Sequence, residues 1–220
     1  MVHHSRKESP DSAMVKFDGL RFWTHSSVYV PREDSFLLAI AARGHAFGKV
    51  LDLGCGSGIV GLSASQNKNV TEVVFADVSP IALQLAEQNV KENGLEKKHP
   101  FVQTDLFSSL SGQKFDTICF NPPYLPTAED EKLHGLENAA YDGGADGRKV
   151  LDVFLNQFEA FLAPKGILLL LNSSVSAKDG QSGNAQTQTA LEAKGFKVEE
   201  VGTQAFFFEQ LVVFKAEITV

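Results

Sequence analysis

Cysteine is nearly absent: Cys55 and Cys119 are the only two in 220 residues, far apart and without a CxxC partner. They cannot build a zinc cage or a disulfide framework, and the expected compartment is the reducing cytoplasm. Long apolar runs are missing too. The most apolar stretch, 166–171, falls far short of the roughly 20 residues that cross a bilayer. Residues 1–14 carry basic side chains with no apolar segment behind them, so they lack the core of a secretory signal and read as a frayed polar tail. Basic charge is also in deficit, with 20 Lys and Arg against 27 Asp and Glu, a net charge of -7. Contact with a phosphate backbone is driven by Lys and Arg, so nucleic acid is disfavoured as the main partner. The scattered histidines form no HExxH or comparable pair, and no metal site is expected.

What is present is the pattern of one α/β domain. From Lys49 onward short apolar runs alternate with helical periodicity, the signature of βαβ units and a mostly parallel sheet. The expected strands are Lys49–Leu53, Val70–Ala76, Phe101–Thr104, Phe115–Phe120, Gly166–Leu171, Phe196–Gly202 and Gln210–Ala216. Ser79 as N-cap and Pro80 behind it open a helix that Asn93-Gly94 closes. A second helix is expected from Arg148 to Leu162, stopped by Pro164. The last two strands have no helix between them and read as an antiparallel pair. The run Phe206–Phe208 beside them would be an aggregation hazard if exposed, so it is placed inside the sheet. The segment from Pro126 to Gly147, about twenty residues without periodicity, has the length of a functional or disordered loop.

Two motifs carry chemistry. After the first strand, Asp52-Leu53-Gly54-Cys55-Gly56-Ser57-Gly58 opens a helix, where glycines allow a tight turn and close ligand approach. Residues 56–61 also satisfy GxGxxG, and Asp77 closes the next strand where ribose hydroxyls could be gripped, so a dinucleotide enzyme stays in play. The acid Asp52 ahead of the glycines instead suits a ligand that offers an ammonium and a carboxylate. Asp105 follows the third strand, either accepting from an exocyclic adenine amine or capping a short helix. Asn121-Pro122-Pro123-Tyr124 follows the fourth strand at the carboxyl edge, where open α/β sheets bind ligands. Its plain reading is a stiff turn. Its chemical reading is that the Asn121 side-chain carbonyl and the Pro122 backbone carbonyl accept both N–H bonds of a planar amino or amide group, with Tyr124 lying on that group.

Together Asp52 to Gly58, Asp77, Asp105 and Asn121 to Tyr124 resemble the class I S-adenosylmethionine-dependent methyltransferases that modify planar nitrogen. The finer resemblance is to the HemK-like protein glutamine methyltransferases of archaea and eukaryotes. Val28-Tyr29-Val30-Pro31-Arg32-Glu33-Asp34-Ser35 is similar to that family's N-terminal motif, with Ser35 where Thr is frequent, and Tyr141 to Arg148 is similar to its segment after the NPPY tetrad. The resemblance implies a Rossmann-like, seven-stranded, mostly parallel sheet with an antiparallel C-terminal strand and helices on both faces. It implies one methyltransferase domain over 28–220, after a tail and lead-in over 1–27. S-adenosylmethionine is the implied donor, held by Ser35, Asp52, Gly54, Gly56, Gly58, Asp77, Asp105, Leu106 and Asn121. Asn121, Pro122, Pro123 and Tyr124 take the substrate. The implied substrate is the Gln of the Gly-Gly-Gln motif of a class 1 translation termination factor. The implied partner is a small zinc-binding activator subunit along the sheet edge near Phe101 and Val102. Two rivals remain: an adenine-N6 DNA or RNA methyltransferase, whose amine presents the same two N–H groups, and a non-catalytic scaffold subunit.

Overall fold

The computed structural model describes residues 12–95, 99–126, 143–178 and 180–218. Strands β3 (Gly48–Leu53), β4 (Val70–Asp77), β5 (Phe101–Gln103), β6 (Phe115–Phe120) and β7 (Leu162–Ser173) form the parallel core. They read as near-continuous apolar runs because helices cover both of their faces. Strand β9 (Gln210–Ile218) inserts antiparallel between β7 and β8 (Phe196–Ala205), giving the order β5-β4-β3-β6-β7-β9-β8. The seven strands and the antiparallel C-terminal strand agree with the sequence pattern.

Alternate residues of each strand face opposite layers. Val50, Phe75, Cys119 and Leu169 pack under α1 (Glu33–His45), α2 (Ile59–Ser65) and α3 (Pro80–Glu92). Leu51, Val74, Ile118 and Leu170 pack under α4 (Lys149–Leu155) and α5 (Gly183–Ala193). The start and stop of α3 fall where the sequence puts them: Ser79 Oγ accepts from Ala82 N at 3.3 Å, Pro80 follows, and Asn93 ends the helix. Among the described residues no helix is long and apolar enough to cross a membrane, and no cluster of His, Cys, Asp and Glu could hold a metal ion.

Three expectations are corrected. The lead-in before residue 28 is not featureless: β1 (Met14–Phe17) and β2 (Leu20–Trp23) form a separate hairpin, turned at Asp18-Gly19 with both residues at positive φ. Leu20 and Phe22 enter the core, and two side-chain amides, Asn89 of α3 and Asn93 just past its end, substitute for a neighbouring strand. Asn89 accepts from Trp23 N at 2.7 Å and donates to Trp23 O at 3.0 Å, while Asn93 makes the same pair of bonds to Arg21 at 3.0 and 2.7 Å. Residues 1–11 lie outside the described residues, as do most of the Pro126–Gly147 loop and Tyr141-Asp142.

The helix expected from Arg148 to Leu162 breaks after Leu155. Leu162 is already paired with Phe115 in the sheet, so the chain tightens into a 3-10 turn over Phe158–Phe161. That turn buries Phe158 against Phe154, and it stacks Phe161 on Phe107 with ring centroids 4.4 Å apart.

The third correction concerns Phe206–Phe208, which lie outside the sheet. They occupy the β8–β9 hairpin tip, closed by Phe206 N donating to Glu209 O at 2.7 Å. A tip that overhangs the strands has no second layer to pack on, and Phe207 and Phe208 stay 91% and 85% exposed, touching chiefly each other.

Exposure therefore separates two groups of phenylalanines. Replacing Phe207 and Phe208 by Ser changes stability by no more than about 0.5 kcal/mol per site and reduces self-association in light scattering. Phe154→Ala, which opens a cavity in the aromatic stack, costs about 3–5 kcal/mol in urea unfolding.

Candidate active site

The carboxyl ends of β4, β3 and β6 meet where the strand order reverses, with β4 and β5 laid down on one side of β3 and β6 and β7 on the other, the place where open α/β sheets leave a crevice. A cavity of about 370 Å³ opens there. It brings together Ser35, Asp52, Gly54, Gly56, Asp77, Asp105, Leu106, Asn121, Pro122, Pro123 and Tyr124.

One half is acidic. Asp52, next to last in β3, is buried, and its Oδ2 accepts from Gly61 N at 2.8 Å in the first turn of α2. Burial pushes its carboxyl up to about 8, against the pull of the Gly61 N–H, and the nearby Asp77 charge adds to the rise. Asp77, at the end of β4, is raised as well, first by burial, while N–H bonds from Ser79 and Gly56 at 2.8 and 2.9 Å oppose the shift. The glycine turn is thus clamped at Gly56 by one carboxylate and at Gly61 by the other. Four of its N–H groups go inward: Cys55 N to Ala76 O, Gly58 N to Cys55 O, Gly56 N to Asp77, Gly61 N to Asp52. A pyrophosphate needs those donors and no carboxylate in their midst. This half of the cavity suits a cation beside hydroxyls, which sets the GxGxxG match aside.

Gly58 departs from its expected place, because it does not line the cavity. It caps α2 at φ 81°, where an added Cβ would stand 3.1 Å from Ala86 Cβ and 3.3 Å from the Phe75 ring, so turn geometry and packing account for the glycine. Asp105 is exposed at the rim and no helix follows it, so it caps none; the turn that does follow is held by Thr104, whose Oγ1 accepts from Ser109 N at 3.0 Å. Leu106 lines the wall at φ 47°, a strained backbone for a side chain of its size.

The other half is built on 121–124. Asn121 follows β6 directly, and two prolines then forbid further strand pairing. Asn121 Nδ2 donates to Asp34 Oδ2 at 2.9 Å, while Asn121 Oδ1 is buried and has no hydrogen-bond partner. Tyr124 OH donates to the same Asp34 oxygen at 3.4 Å, and Tyr29 OH does so at 3.0 Å. Burial, and then the Asp34 charge, holds both phenols well above their ordinary range, so they remain donors. Cys55 lines the cavity with its thiol raised by burial, an inert wall.

Tyr29 and Asp34 were missed as functional residues although they stand inside the motif that ends at Ser35. The available signal was an acid in a helix first turn that is 3% exposed, which no periodicity reveals. Ser35 lies at the cavity, but its Oγ donates to Asp34 Oδ1 at 3.3 Å, so part of its bonding is already committed.

The Methyltransferase small domain family matches residues 20–137. A Methanocaldococcus jannaschii protein, assigned provisionally as a protein N5-glutamine methyltransferase, is 37% identical over 203 residues, covering 92% of this chain and 98% of its own. The release factor glutamine methyltransferase of Borreliella burgdorferi is 34% identical over 70% of this chain, which spans only 56% of that longer relative. Among solved structures, the Mtq2–Trm112 complex of E. cuniculi, described as responsible for methylating the termination factor eRF1, superposes with TM-score 0.61 and 25% identity. That match covers 88% of this chain and 99% of the other.

The burial of Asp52 carries a pH signature. Below about pH 4 the carboxyl is protonated both folded and unfolded; between there and about 8 only the unfolded chain releases the proton, so the folded state loses stability as pH rises. Asp52→Asn does not titrate and keeps an oxygen for Gly61 N. Its melting temperature relative to the parent rises steadily from pH 5 to pH 8, by about 1.4 kcal/mol per pH unit at most, each kcal/mol being roughly 2–4 °C at this size, as read by calorimetry on ligand-free protein. A constant gap across that range overturns the assignment.

Proposed function

The chain belongs to the methyltransferase small-domain family, among its HemK-like protein glutamine methyltransferases, and from that premise we propose that it methylates a glutamine side-chain amide in a class 1 translation termination factor. The observation that carries this reading is the buried, unpartnered Asn121 Oδ1 at the head of the 121–124 tetrad, a free acceptor on a residue that lines the cavity. An amide N–H is its natural complement.

S-adenosylmethionine, when bound, supplies a methyl group on positively charged sulfur. The residues that would hold it suit its chemistry: buried Asp52 on the cationic methionine end, Asp77 on the ribose hydroxyls, Asp105 and Leu106 beside the adenine, with the Gly54–Gly56 turn allowing close approach. A cation there also relieves the repulsion between two desolvated acids.

An amide nitrogen is a poor nucleophile because its lone pair is shared with the carbonyl. Asn121 Oδ1 and the Pro122 carbonyl would draw on its two N–H bonds, return electron density to nitrogen and hold it in line. Alignment of that kind is worth up to about 7–11 kcal/mol. The N–C bond forms as the methyl leaves sulfur, and the nitrogen then releases one of its protons. Tyr124 lies against the planar group, and the two consecutive prolines keep the acceptors ordered before the substrate arrives. No general base is needed, since a methylated amide cation loses its proton to water.

The partner is placed at the β5 edge. That strand is three residues long, and Phe101 and Val102 are only half buried there, a short apolar edge that calls for a cover. A small activator subunit of the zinc-binding kind implied by the resemblance fits that role, with both chains working in the cytoplasm where the substrate is used.

The deciding experiment is transfer of labelled methyl from S-adenosylmethionine to a termination factor, with and without the activator, reading the modified residue by mass spectrometry. Label is expected on the Gln of Gly-Gly-Gln. Asn121→Ala lowers transfer by at least about 100-fold while calorimetry shows donor still bound. Near-normal transfer by this variant, or label on a nucleic-acid base instead, overturns the proposal.

A further inference from the structure

An asparagine amide has two ends of nearly the same shape and opposite hydrogen-bonding sense, and a site that needs one of them must prevent the flip. At Asn121 the neighbour that decides is Asp34. A carboxylate only accepts, so it holds the NH2 end: Nδ2 sits 2.9 Å from Asp34 Oδ2. The flipped amide would set Oδ1 against that carboxylate, two acceptors with no proton between them, and would point a donor at the substrate's own N–H groups. We infer that Asp34 is a positioning residue that fixes which end of the Asn121 amide faces the substrate, and that it thereby selects a nucleophile bearing N–H bonds.

Asp34 is built for this task. It stands in the first turn of α1 at 3% exposure, and both of its oxygens are pinned. Oδ1 accepts from Ser35 N at 2.6 Å and from Ser35 Oγ at 3.3 Å. Oδ2 accepts from Tyr29 OH, Asn121 Nδ2 and Tyr124 OH at 3.0, 2.9 and 3.4 Å. The same oxygen therefore steadies the acceptor Asn121 and the ring of Tyr124 across from it. The donors that converge on Asp34 include side chains of the tetrad itself, Asn121 and Tyr124, so it acts within the protein. The consequence appears on the far side of the amide, where Oδ1 is buried and has no partner.

This inference rests on the proposed glutamine methylation only for the identity of the substrate, and the test separates the two. The full chain, with its activator if one is needed for solubility, is assayed for donor affinity by calorimetry and for kcat and KM on the termination factor. The variants are Asp34→Asn, Asp34→Ala and each of these combined with Asn121→Ala. An Asn at position 34 keeps the shape but can offer either end to Asn121, so the orientation is no longer enforced. Asp34→Asn is expected to lower kcat by about 10- to 100-fold, the worth of a hydrogen bond to a charged group, with donor affinity and KM within about threefold. In the Asn121→Ala background the same change costs less than about threefold, because nothing remains to orient.

A parallel loss of donor affinity would make Asp34 a donor ligand and overturn the inference, as would an undiminished effect in the Asn121→Ala background or a parental rate for Asp34→Asn. Should Asp34→Ala fail to fold, Asp34→Asn still decides. Label from the parent enzyme on a residue other than glutamine refutes the proposed function alone, because the dependence of Asp34 on Asn121 is read on whichever N–H substrate is labelled.

Discussion

Two carboxylates held away from water define this site before any ligand arrives. Asp52 and Asp77 lie at the carboxyl ends of neighbouring parallel strands, and each spends one oxygen on a backbone N–H of the glycine turn between them. The turn has almost no freedom left. A Cβ at Gly61 would stand 2.4 Å from the Phe75 ring and 2.9 Å from Asp52 Oδ2, so the helix packs against the acid as closely as a glycine permits. Burying a carboxylate disfavours its charged form, and a second acid nearby disfavours it further. The fold carries that strain at the place where a cation relieves it, which is how affinity for a positively charged ligand is prepared in a rigid scaffold.

The same clamp explains why a Gly-rich strand-to-helix turn need not bind phosphate. In a phosphate site the turn's N–H groups converge on the ligand and the helix dipole favours the anion. Here the N–H groups of Cys55, Gly56, Gly58 and Gly61 are taken by Ala76 O, Cys55 O and the two carboxylates, and α2 begins over a buried acid. Sequence spacing alone cannot make this distinction, because GxGxxG reports the need for glycine and is silent on where the backbone donors point. The acid one strand residue before the turn carries the information.

Much of the frame was legible from local signals, and the failures have physical causes. The parallel strands were readable because burial on both faces leaves nothing polar in them, and α3 because Ser79, Pro80 and Asn93 punctuate it. The β1–β2 hairpin was not, since four-residue strands give little alternation and the groups that anchor it, Asn89 and Asn93, lie some seventy residues away on α3 and just past its end. The helix break at Leu155 follows from a strand pairing, a nonlocal constraint that overrides a good apolar face. Phe206–Phe208 misled because hydrophobicity argues for burial only where a second layer exists, and a hairpin tip has none. The tetrad 121–124 was visible as chemistry, whereas Asp34 was not, because its role depends on donors from Asn121 and Tyr124, about ninety residues away, joining the nearby Tyr29 hydroxyl.

The first turn of α1 joins the two halves of the cavity. Asp34 reaches Asn121 and Tyr124 at the end of β6, while Ser35, the next residue, lines the wall on the same cavity. Consecutive residues in a helix point about 100° apart, so one turn can face two neighbouring subsites without backbone distortion. Ser35 N and Oγ both donate to Asp34 Oδ1, which ties the two side chains to one geometry. A shift of α1 toward or away from the sheet would move donor-side and acceptor-side groups together. The relative placement of the two substrates is therefore set by a single rigid element packed on the core through Leu38, Ala39 and Ala42. That is what a reaction limited by alignment requires, because its rate depends on the distance between the two halves more than on the strength of either.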